Sequence, residues 1–149
     1  MTEYLEIQVN KFIFKVATDR LYSPEGVWAQ AEGNLVRIGI SDFLQQRSGD
    51  VAFAEVKPVG ARVAFGEELA VIETIKVNIS LGSPLAGNVI EINPVLLTAP
   101  EAINQDPFGV GWLALIEALD WQADQPRLLS AAAYFEKMKA EAEQEARKE

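Results

Sequence analysis

Hydrophobic and polar residues alternate along most of the first two thirds of the chain. The alternation comes in short runs that are bounded by turn-forming residues such as Gly33, Gly49, Gly60 and Gly66. A side-chain period of two is typical of a β-strand with one buried face. The clearest runs are Ile7 and Val9; Phe12, Phe14 and Val16; Leu35, Val36, Ile38 and Ile40; and Val51, Phe53 and Val56. This spacing of strands and turns predicts a small sandwich or barrel.

Two short segments interrupt the alternation and are predicted to be helical. Residues 41–47 are expected to form a single helical turn that Ser41 or Asp42 caps. Thr98 and Glu101 have the spacing of a capping box, which predicts a short helix that starts there and ends near Asn104.

The last segment of the chain changes period. Its hydrophobic residues recur every three or four positions, which predicts an amphipathic C-terminal helix with Pro126 at its first position. These residues are Leu128, Leu129, Ala132, Phe135, Met138 and Ala142. The end of the segment, residues 140–149, is polar nearly all round and carries Glu143 and Arg147 at helical spacing. We expect that end to project from the body or to fray.

One apolar segment, residues 69–81, contains a single lysine, Lys76, near its middle. Read by propensity alone, the segment is a strand longer than most, and a lone buried ammonium at its centre would be costly. Either the strand faces water at Lys76, or the chain reverses there and two strands meet in a hairpin. No Asn-Gly or Gly-X pair marks a hairpin turn, so composition alone favours an exposed lysine within one strand.

Composition limits the chemistry that the chain can perform. The chain has 149 residues, a net charge of −9, and neither His nor Cys. It therefore lacks the side chains of Ser-His-Asp and Cys-His catalysis, of the usual zinc sites and of dithiol exchange. With 49% hydrophobic residues, it can bury the core of one compact domain.

Charge and hydropathy limit which partners and which cellular location we expect for the protein. The N-terminus has no basic region followed by an apolar stretch, and no run approaches the length of a membrane span. The negative net charge opposes binding to nucleic acid and to anionic membranes. We therefore expect a cytoplasmic monomer with no signal peptide, no nucleic-acid partner and no membrane partner.

Other candidate residues receive ordinary interpretations. Trp28 and Trp112 are expected in the core or in a groove wall. Glu67 and Glu68 lack the spacing of a calcium loop, so no metal site is predicted. Four glycines are interpreted as turn residues, because none has the spacing of a phosphate-binding loop: Gly82, Gly87, Gly109 and Gly111.

Two neighbouring segments carry the most specific motif. The first reads Glu73-Thr-Ile-Lys76-Val, and the second reads Ser83-Pro-Leu-Ala-Gly87-Asn-Val-Ile-Glu-Ile-Asn93. Together they resemble the lipoyl-attachment stretch of glycine cleavage system H proteins. Further short matches occur in family order between Tyr22 and Met138. They are Ile38-Gly-Ile-Ser-Asp-Phe, Gly49-Asp-Val-Ala-Phe-Ala-Glu55, Val59-Gly60, Gly66-Glu67, Asn104-Gln-Asp-Pro-Phe-Gly-Val-Gly-Trp-Leu113 and Tyr134-Phe-Glu-Lys. Each match is weak alone, whereas the ordered set is specific.

The resemblance implies a carrier protein and not an enzyme. The implied fold is mainly β, a flattened barrel-sandwich hybrid of the lipoyl/biotinyl-carrier type with short helices and a C-terminal α-helix. Lipoate would be attached by an amide to Lys76 at a hairpin tip by a lipoate ligase or lipoyltransferase, with Glu73 helping that enzyme to recognise its target. A biotin carrier is disfavoured because the usual Met-Lys-Met is absent around Lys76.

Three positions depart from the pattern of glycine-pathway members. Val27 stands where the family has the Glu of His-Glu-Trp, Ser80 stands where an acid is usual, and Arg47 stands where a His is frequent. In the family these positions lie near the loaded arm, where a carboxylate would pair with the ammonium of an aminomethyl cargo. The departures therefore weaken the expectation of that cargo.

The form of the motif and the strand-like extension over 1–21 look more like lipoate-binding proteins of sulfur-oxidising prokaryotes. The resemblance to those proteins implies sulfur intermediates as cargo, with a heterodisulfide-reductase-like complex and dihydrolipoamide dehydrogenase as partners. A glycine cleavage H protein that works with the glycine cleavage enzymes is the alternative, and an unmodified β-sandwich module is a third. The expected division of the chain is an extension over 1–21, a carrier domain over 22–125 and a C-terminal helical segment over 126–149.

Overall fold

The computed structural model describes residues 2–148. The strands are β1 (Tyr4–Val9), β2 (Phe12–Ala17), β3 (Leu21–Tyr22), β4 (Val27–Glu32), β5 (Leu35–Ile40), β6 (Val51–Val56), β7 (Arg62–Val63), β8 (Glu68–Thr74), β9 (Asn78–Gly82), β10 (Gly87–Ile92) and β11 (Ala114–Ala118). The α-helices are α1 (Asp42–Ser48), α2 (Val95–Thr98), α3 (Ala102–Gln105), α4 (Trp121–Asp124) and α5 (Ala131–Arg147). A 3₁₀ turn covers Gln125–Arg127. The fold is mainly β, as predicted, and all four alternating runs are strands.

The strands form three antiparallel sheets. Six strands pair in the order β3-β4-β5-β11-β10-β7, three pair in the order β6-β8-β9, and β1 pairs only with β2. The main core lies between the six-stranded and three-stranded sheets. Its members include Val36 and Ile38 from β5, Ile72 from β8, and Val89 and Ile116 from β10 and β11. Hydrophobic residues alternate in the sequence because every second side chain of these strands points into the core.

A second core joins the N-terminal hairpin β1–β2, α1 and α5. The rings of Tyr22 and Tyr134 stack with centroids 4.5 Å apart. Tyr134 shares a 2.7 Å hydrogen bond with Ser41, the residue that caps α1. Burial raises the pKa of both phenols above the ordinary value, that of Tyr134 to about 12. These contacts fix α1 and the N-terminal hairpin against the body of the protein.

The predicted capping box is wrong. Thr98 ends α2, and the backbone of Glu101 is already helical, so its side chain makes no capping hydrogen bond. Two short helices flank Pro100 instead of one, because proline disfavours helical backbone at the residue before it. The second helix, α3, extends to Gln105, one residue beyond the predicted end at Asn104.

The C-terminal helix begins later than predicted. Pro126 lies in the separate 3₁₀ turn, and Ser130 caps α5 by accepting a hydrogen bond from the amide of Ala133. The end of α5 is helical to Arg147 and does not project, because Glu145 pairs with Arg47 of α1 at 2.6 Å. Over residues 2–148, no helix is long and apolar enough to cross a membrane.

Candidate functional site

The long apolar segment around Lys76 is a hairpin and not one strand. β8 and β9 pair with Glu73 opposite Asn78, and the connecting residues 75–77 carry Lys76 at the tip. The interpretation favoured by composition alone, an exposed lysine within a continuous strand, is therefore wrong. Reversal at Lys76 keeps the amine in water and leaves both strands with a buried face.

The turn depends on Thr74, a residue to which the sequence patterns assign no role of its own. Its hydroxyl oxygen accepts hydrogen bonds from the amides of Lys76 at 3.1 Å and Val77 at 2.9 Å. Its own amide donates to the carbonyl of Val77 at 2.9 Å. A threonine hydroxyl that binds amides two and three residues ahead closes a turn without glycine. The signal in the sequence was a threonine placed directly before the turn.

The hairpin tip is attached to the loop that follows α1. The Thr74 hydroxyl lies 2.7 Å from the carbonyl oxygen of Ser48, and the amide of Ile75 donates to the carbonyl of Asp50 at 3.1 Å. The same hydroxyl lies 2.8 Å from the carbonyl of Val77, so its one proton serves either acceptor. Two contacts from neighbouring residues thus hold the tip in place.

Asn104 holds the other side of that loop. Its side-chain oxygen accepts from the amide of Val51 at 2.9 Å, and its side-chain nitrogen donates to the carbonyl of Gly49 at 3.0 Å. The same nitrogen donates to the side chain of Gln45 at 3.0 Å. In the sequence, Asn104 is marked only as a helix end and as the first residue of a family match. Its three partners make it the support for the loop on which the hairpin rests.

Lys76 stands exposed between two exposed apolar side chains. Ile75 is 79% exposed and Val77 is 47% exposed. The Lys76 amine lies 3.4 Å from the carbonyl oxygen of Arg47, at the C-terminal end of α1. No carboxylate of the described chain forms an ion pair with it. Glu73, exposed on β8 beside the tip, lies opposite Phe53 of β6.

A groove of about 480 Å³ opens beside Lys76, and we call it the Lys76 groove. The N-terminal hairpin lines it with Phe12 and Phe14, α1 with Phe43 and Arg47, and the end of α5 with Glu145. Phe12, predicted as part of an alternating run, is 43% exposed because it faces this groove. Three aromatic rings and four charged side chains thus line the groove within the described part of the chain; the charged ones are Arg47, Lys76, Glu145 and Lys148.

At three positions this chain departs from the pattern of glycine-pathway members, and none of the three places a carboxylate near Lys76. Val27 is buried in the main core, and Ser80 donates a hydrogen bond to Glu68 on β8. Arg47 pairs with Glu145 across the Lys76 groove. Among the described residues that line the groove, Glu145 is the only acid.

The two tryptophans singled out in the sequence pack within the fold. Trp28 is fully buried, and its indole nitrogen donates to the carbonyls of Ile40 and Pro107, each at 3.0 Å. Trp112 is half-buried beneath the guanidinium of Arg37, 4.4 Å from the ring centroid. Within residues 2–148, no cluster of acidic side chains has the arrangement of a metal site.

Two facing sheets that present one lysine at a hairpin tip define a carrier domain of the lipoyl type, a barrel-sandwich fold. A crystal structure of a glycine cleavage system H protein from Mycobacterium marinum is similar, with a TM-score of 0.74 and 28% sequence identity. The similarity covers 80% of this chain and 96% of that chain. The sequence profile described as "Glycine cleavage H-protein" matches residues 20–141. The chain belongs to the glycine cleavage H-protein family.

Curated relatives support the same assignment. A glycine cleavage system H protein of Thermus thermophilus is 39% identical over 127 residues, covering 85% of this chain and 98% of the relative. The probable H protein of Natronomonas pharaonis is 45% identical over 105 residues, covering 70% and 83%. A probable H protein of Saccharolobus solfataricus is 36% identical over 135 residues, covering 90% and 97%. These matches span nearly the whole length of two of the relatives.

Proposed function

We propose that this protein is a carrier whose lipoate is joined by an amide bond to the amine of Lys76. The observation that carries the proposal is the position of Lys76, exposed at the tip of a hairpin that Thr74 and Ile75 attach to the body. Membership of the H-protein family supports it. In this proposal residues 22–125 form the carrier domain, and segments 1–21 and 126–149 are additions to it.

The surroundings of Lys76 fit such an attachment. An exposed amine without a carboxylate partner is open to an activated acyl group that a separate enzyme supplies. Amide formation removes the positive charge but keeps one N–H, which can still donate to the Arg47 carbonyl now 3.4 Å from the amine. Glu73, exposed beside the tip, is the side chain through which a lipoate ligase or lipoyltransferase would recognise the hairpin.

The amino-acid composition indicates which chemistry lipoate would supply and which role is left to the residues of the chain. Lipoate supplies two reactive sulfur atoms when bound, and the chain has no Cys or His that would compete with them. The residues of this chain hold the attachment point rigid, while a tether raises the local concentration of its cargo at each partner enzyme. The protein is therefore proposed to act as a carrier and not as an enzyme.

Intact mass spectrometry after incubation with a lipoate ligase, lipoate and ATP tests the attachment. The wild-type chain and Lys57→Arg are expected to gain the mass of one lipoyl group, and Lys76→Arg none. Lys57, half-buried at the end of β6, is the matched control. Absence of the added mass from the wild type, or its presence on Lys76→Arg, would overturn the proposal. The first of these results would favour the unmodified binding module.

The first candidate cargo is the aminomethyl group of glycine cleavage. The names of the curated relatives support this role, because those compared above are glycine cleavage system H proteins. The partners would then be the glycine cleavage enzymes and dihydrolipoamide dehydrogenase. Loading of the lipoylated protein by glycine decarboxylase, followed by mass spectrometry, measures this role directly.

The second candidate cargo is a sulfur intermediate, delivered to a heterodisulfide-reductase-like complex. One specific observation favours it: Val27 and Ser80 replace acids that would pair with an ammonium, and Glu145, the groove's one acid among described residues, is bound to Arg47. The Glu-Thr-Ile-Lys-Val-Asn form of the motif and the extension over 1–21 also support it. Efficient aminomethyl loading by glycine decarboxylase would overturn this candidate.

A further inference from the structure

A second hairpin tip lies beside Lys76. Strands β1 and β2 are joined by the two residues Asn10 and Lys11, and Asn10 has a positive φ of 55°, as is common in two-residue turns. Asn10 and Phe12, on either side of Lys11, both line the Lys76 groove. We call residues 10–13 the N-terminal tip. This tip precedes the family match, which begins at residue 20.

Helix α1 holds both tips in place. The side chain of Gln46 on α1 donates to the carbonyl of Ile13 at 2.9 Å. Directly behind the N-terminal tip, the ring of Phe14 meets the ring of Phe43 on α1 edge to face, with centroids 5.3 Å apart. The β8–β9 tip is attached to the same helix through the carbonyl of Ser48. The two tips therefore keep a fixed spacing, and a partner that contacts both costs this chain little conformational entropy.

The N-terminal tip exposes apolar surface beside a cation. Phe12 is 43% exposed and Ile13 is 51% exposed, and the Lys11 amine lies 5.5 Å from the centroid of the Phe12 ring. On the other tip, Ile75 and Val77 are also exposed. Aromatic side chains are enriched in protein interfaces, and a charge beside them favours a partner surface of opposite charge. The two tips together have the composition of a protein-binding surface.

Charges of opposite sign flank Lys76. On the side of the groove, Lys11 and Lys148 form no ion pair within residues 2–148. On the other side, Glu73 is exposed on β8 and does not line the groove. The chain as a whole carries a net charge of −9, so the basic side is a local exception. A partner that covers Lys76 would need an acidic surface on one side and a basic surface on the other, which fixes its orientation.

We propose that the N-terminal tip is a docking surface for the enzyme that attaches lipoate to Lys76, and that this enzyme contacts the tip with an acidic and apolar face. The inference rests on the proposed attachment of lipoate. In that reaction the Lys76 amine loses a proton and forms an N–C bond to an activated lipoyl group, whose activating group leaves with the electron pair of the broken bond.

The identity of the partner follows from the reach of this reaction. The amine must enter the active site of the attaching enzyme, so the surface of that enzyme comes within the length of one lysine side chain of the β8–β9 tip. The N-terminal tip borders the same groove and therefore lies in the contact area. Enzymes that act on the finished arm meet it at the end of a longer tether and need not touch this surface.

A charge reversal tests the electrostatic part. Initial rates of lipoylation are measured at varying carrier concentration with lipoate, ATP and a lipoate ligase from the organism that makes this chain. Lys11→Glu replaces an attraction by a repulsion and is expected to raise KM about two- to ten-fold while kcat stays the same. The difference from the wild type should shrink as sodium chloride is added, because salt screens exposed charges.

Lys57→Glu is the matched control for net charge. Lys57 follows β6 at the end that pairs with Ala70, far from the β8–β9 tip, so KM should stay at the wild-type value. Equal KM values for Lys11→Glu and Lys57→Glu, or a lower KM for Lys11→Glu than for the wild type, would overturn the charge assignment.

A second pair of variants tests the apolar part. Phe12→Ala removes an exposed ring from the N-terminal tip and is expected to raise KM about three-fold or more. Tyr4→Ala removes a ring of equal exposure, 43%, at the opposite end of the same hairpin, where Tyr4 pairs with Ala17, and should leave KM unchanged. Urea unfolding shows that both variants are folded. Equal KM values for Phe12→Ala and the wild type would overturn the docking surface. If the wild type gains no lipoyl mass, the proposed function fails instead, so the two failures are distinguishable.

Discussion

The hydroxyl oxygen of Thr74 lies 2.7 Å from the carbonyl oxygen of Ser48, which is 26 residues earlier in the chain. This contact ties the tip of the β8–β9 hairpin to the end of α1. The same hydroxyl accepts hydrogen bonds from the amides of Lys76 and Val77. The Thr74 side chain thus closes the turn and fixes its position. The rigidity of the hairpin tip that carries Lys76 therefore depends on Thr74.

We predict that Thr74→Val loosens the tip while the sheets stay intact. Valine keeps the branched shape but can neither accept from the two amides nor donate to Ser48. The loss is expected to be about 1 kcal/mol of local stability, because water replaces part of the exposed hydrogen bonding. Hydrogen exchange at the amides of Lys76 and Val77 should become about five-fold faster, since about 1.4 kcal/mol corresponds to a factor of ten.

Two further variants make this prediction specific. Thr74→Ser retains the hydroxyl and should restore most of the protection. Thr98→Val changes a threonine at the end of α2, where the described structure records no hydrogen bond of its hydroxyl, and should leave exchange at the tip unchanged. Unchanged exchange at Lys76 and Val77 in Thr74→Val would show that the turn closes without the hydroxyl.

Glu73→Gln is predicted to slow lipoylation and to leave stability nearly unchanged. The carboxylate is exposed on β8, beside the tip and away from the core, so its loss affects a docking enzyme more than the fold. An exposed ionic contact is worth about 0.2–1 kcal/mol, which corresponds to about a 1.5- to five-fold fall in the initial rate. Glu55→Gln, an exposed acid on β6, is the control and should keep the wild-type rate. Equal rates for all three proteins would remove Glu73 from recognition.

Asn104→Ala is predicted to destabilise the loop between α1 and β6. The variant leaves the amide of Val51 and the carbonyl of Gly49 without their side-chain partner. Partly buried groups that lose their partners cost about 2 kcal/mol in the free energy of unfolding, which urea denaturation measures. Asn88→Ala loses a single 3.3 Å contact with Arg62 and should cost about 0.5 kcal/mol or less. Equal losses in the two variants would contradict the supporting role of Asn104.

The strands could be predicted from the sequence because one face of each packs against one of the two hydrophobic cores. Val36 and Ile38, for example, flank the partly exposed Arg37 and lie in the main core. The reversal at Lys76 could not be predicted from composition, because the turn uses Thr74 and contacts to Ser48 and Asp50 instead of a glycine. Only the resemblance to a family placed the lysine at a tip.

The ends of helices and the ion pairs were harder to predict for a related reason. The spacing of Glu143 and Arg147 favours a contact within α5, yet Arg47 of α1 reaches Glu145 of the same helix. Likewise, Pro126 fits a helix start locally, but Ser130 has the extended backbone and free side chain that cap α5. A local sequence pattern does not show which distant residue will pack against a helix, and that residue determines the ion pair or the helix start.

The stacked pair of Tyr22 and Tyr134 predicts that the protein loses stability in alkali. Burial raises the pKa of Tyr134 to about 12 and that of Tyr22 in the same direction. Above about pH 10 the unfolded chain releases phenolic protons that the folded chain keeps, so the unfolded state binds fewer protons. The free energy of unfolding therefore falls as pH rises, and the contribution of Tyr134 is complete below pH 10 and lost through about pH 12. Its share of the slope is about 1.4 kcal/mol per pH unit.

Urea unfolding between about pH 8 and pH 11.5 measures this slope, and two variants assign it. Tyr134→Phe removes the ionisable group together with its hydrogen bond to Ser41, so it should lower stability by about 1 kcal/mol near pH 8 and flatten the alkaline slope. Ser41→Ala breaks the same hydrogen bond and the cap of α1 but keeps the phenol. It should therefore lower stability at every pH and retain the wild-type slope. Parallel curves for all three proteins would show that Tyr134 does not cause the alkaline loss.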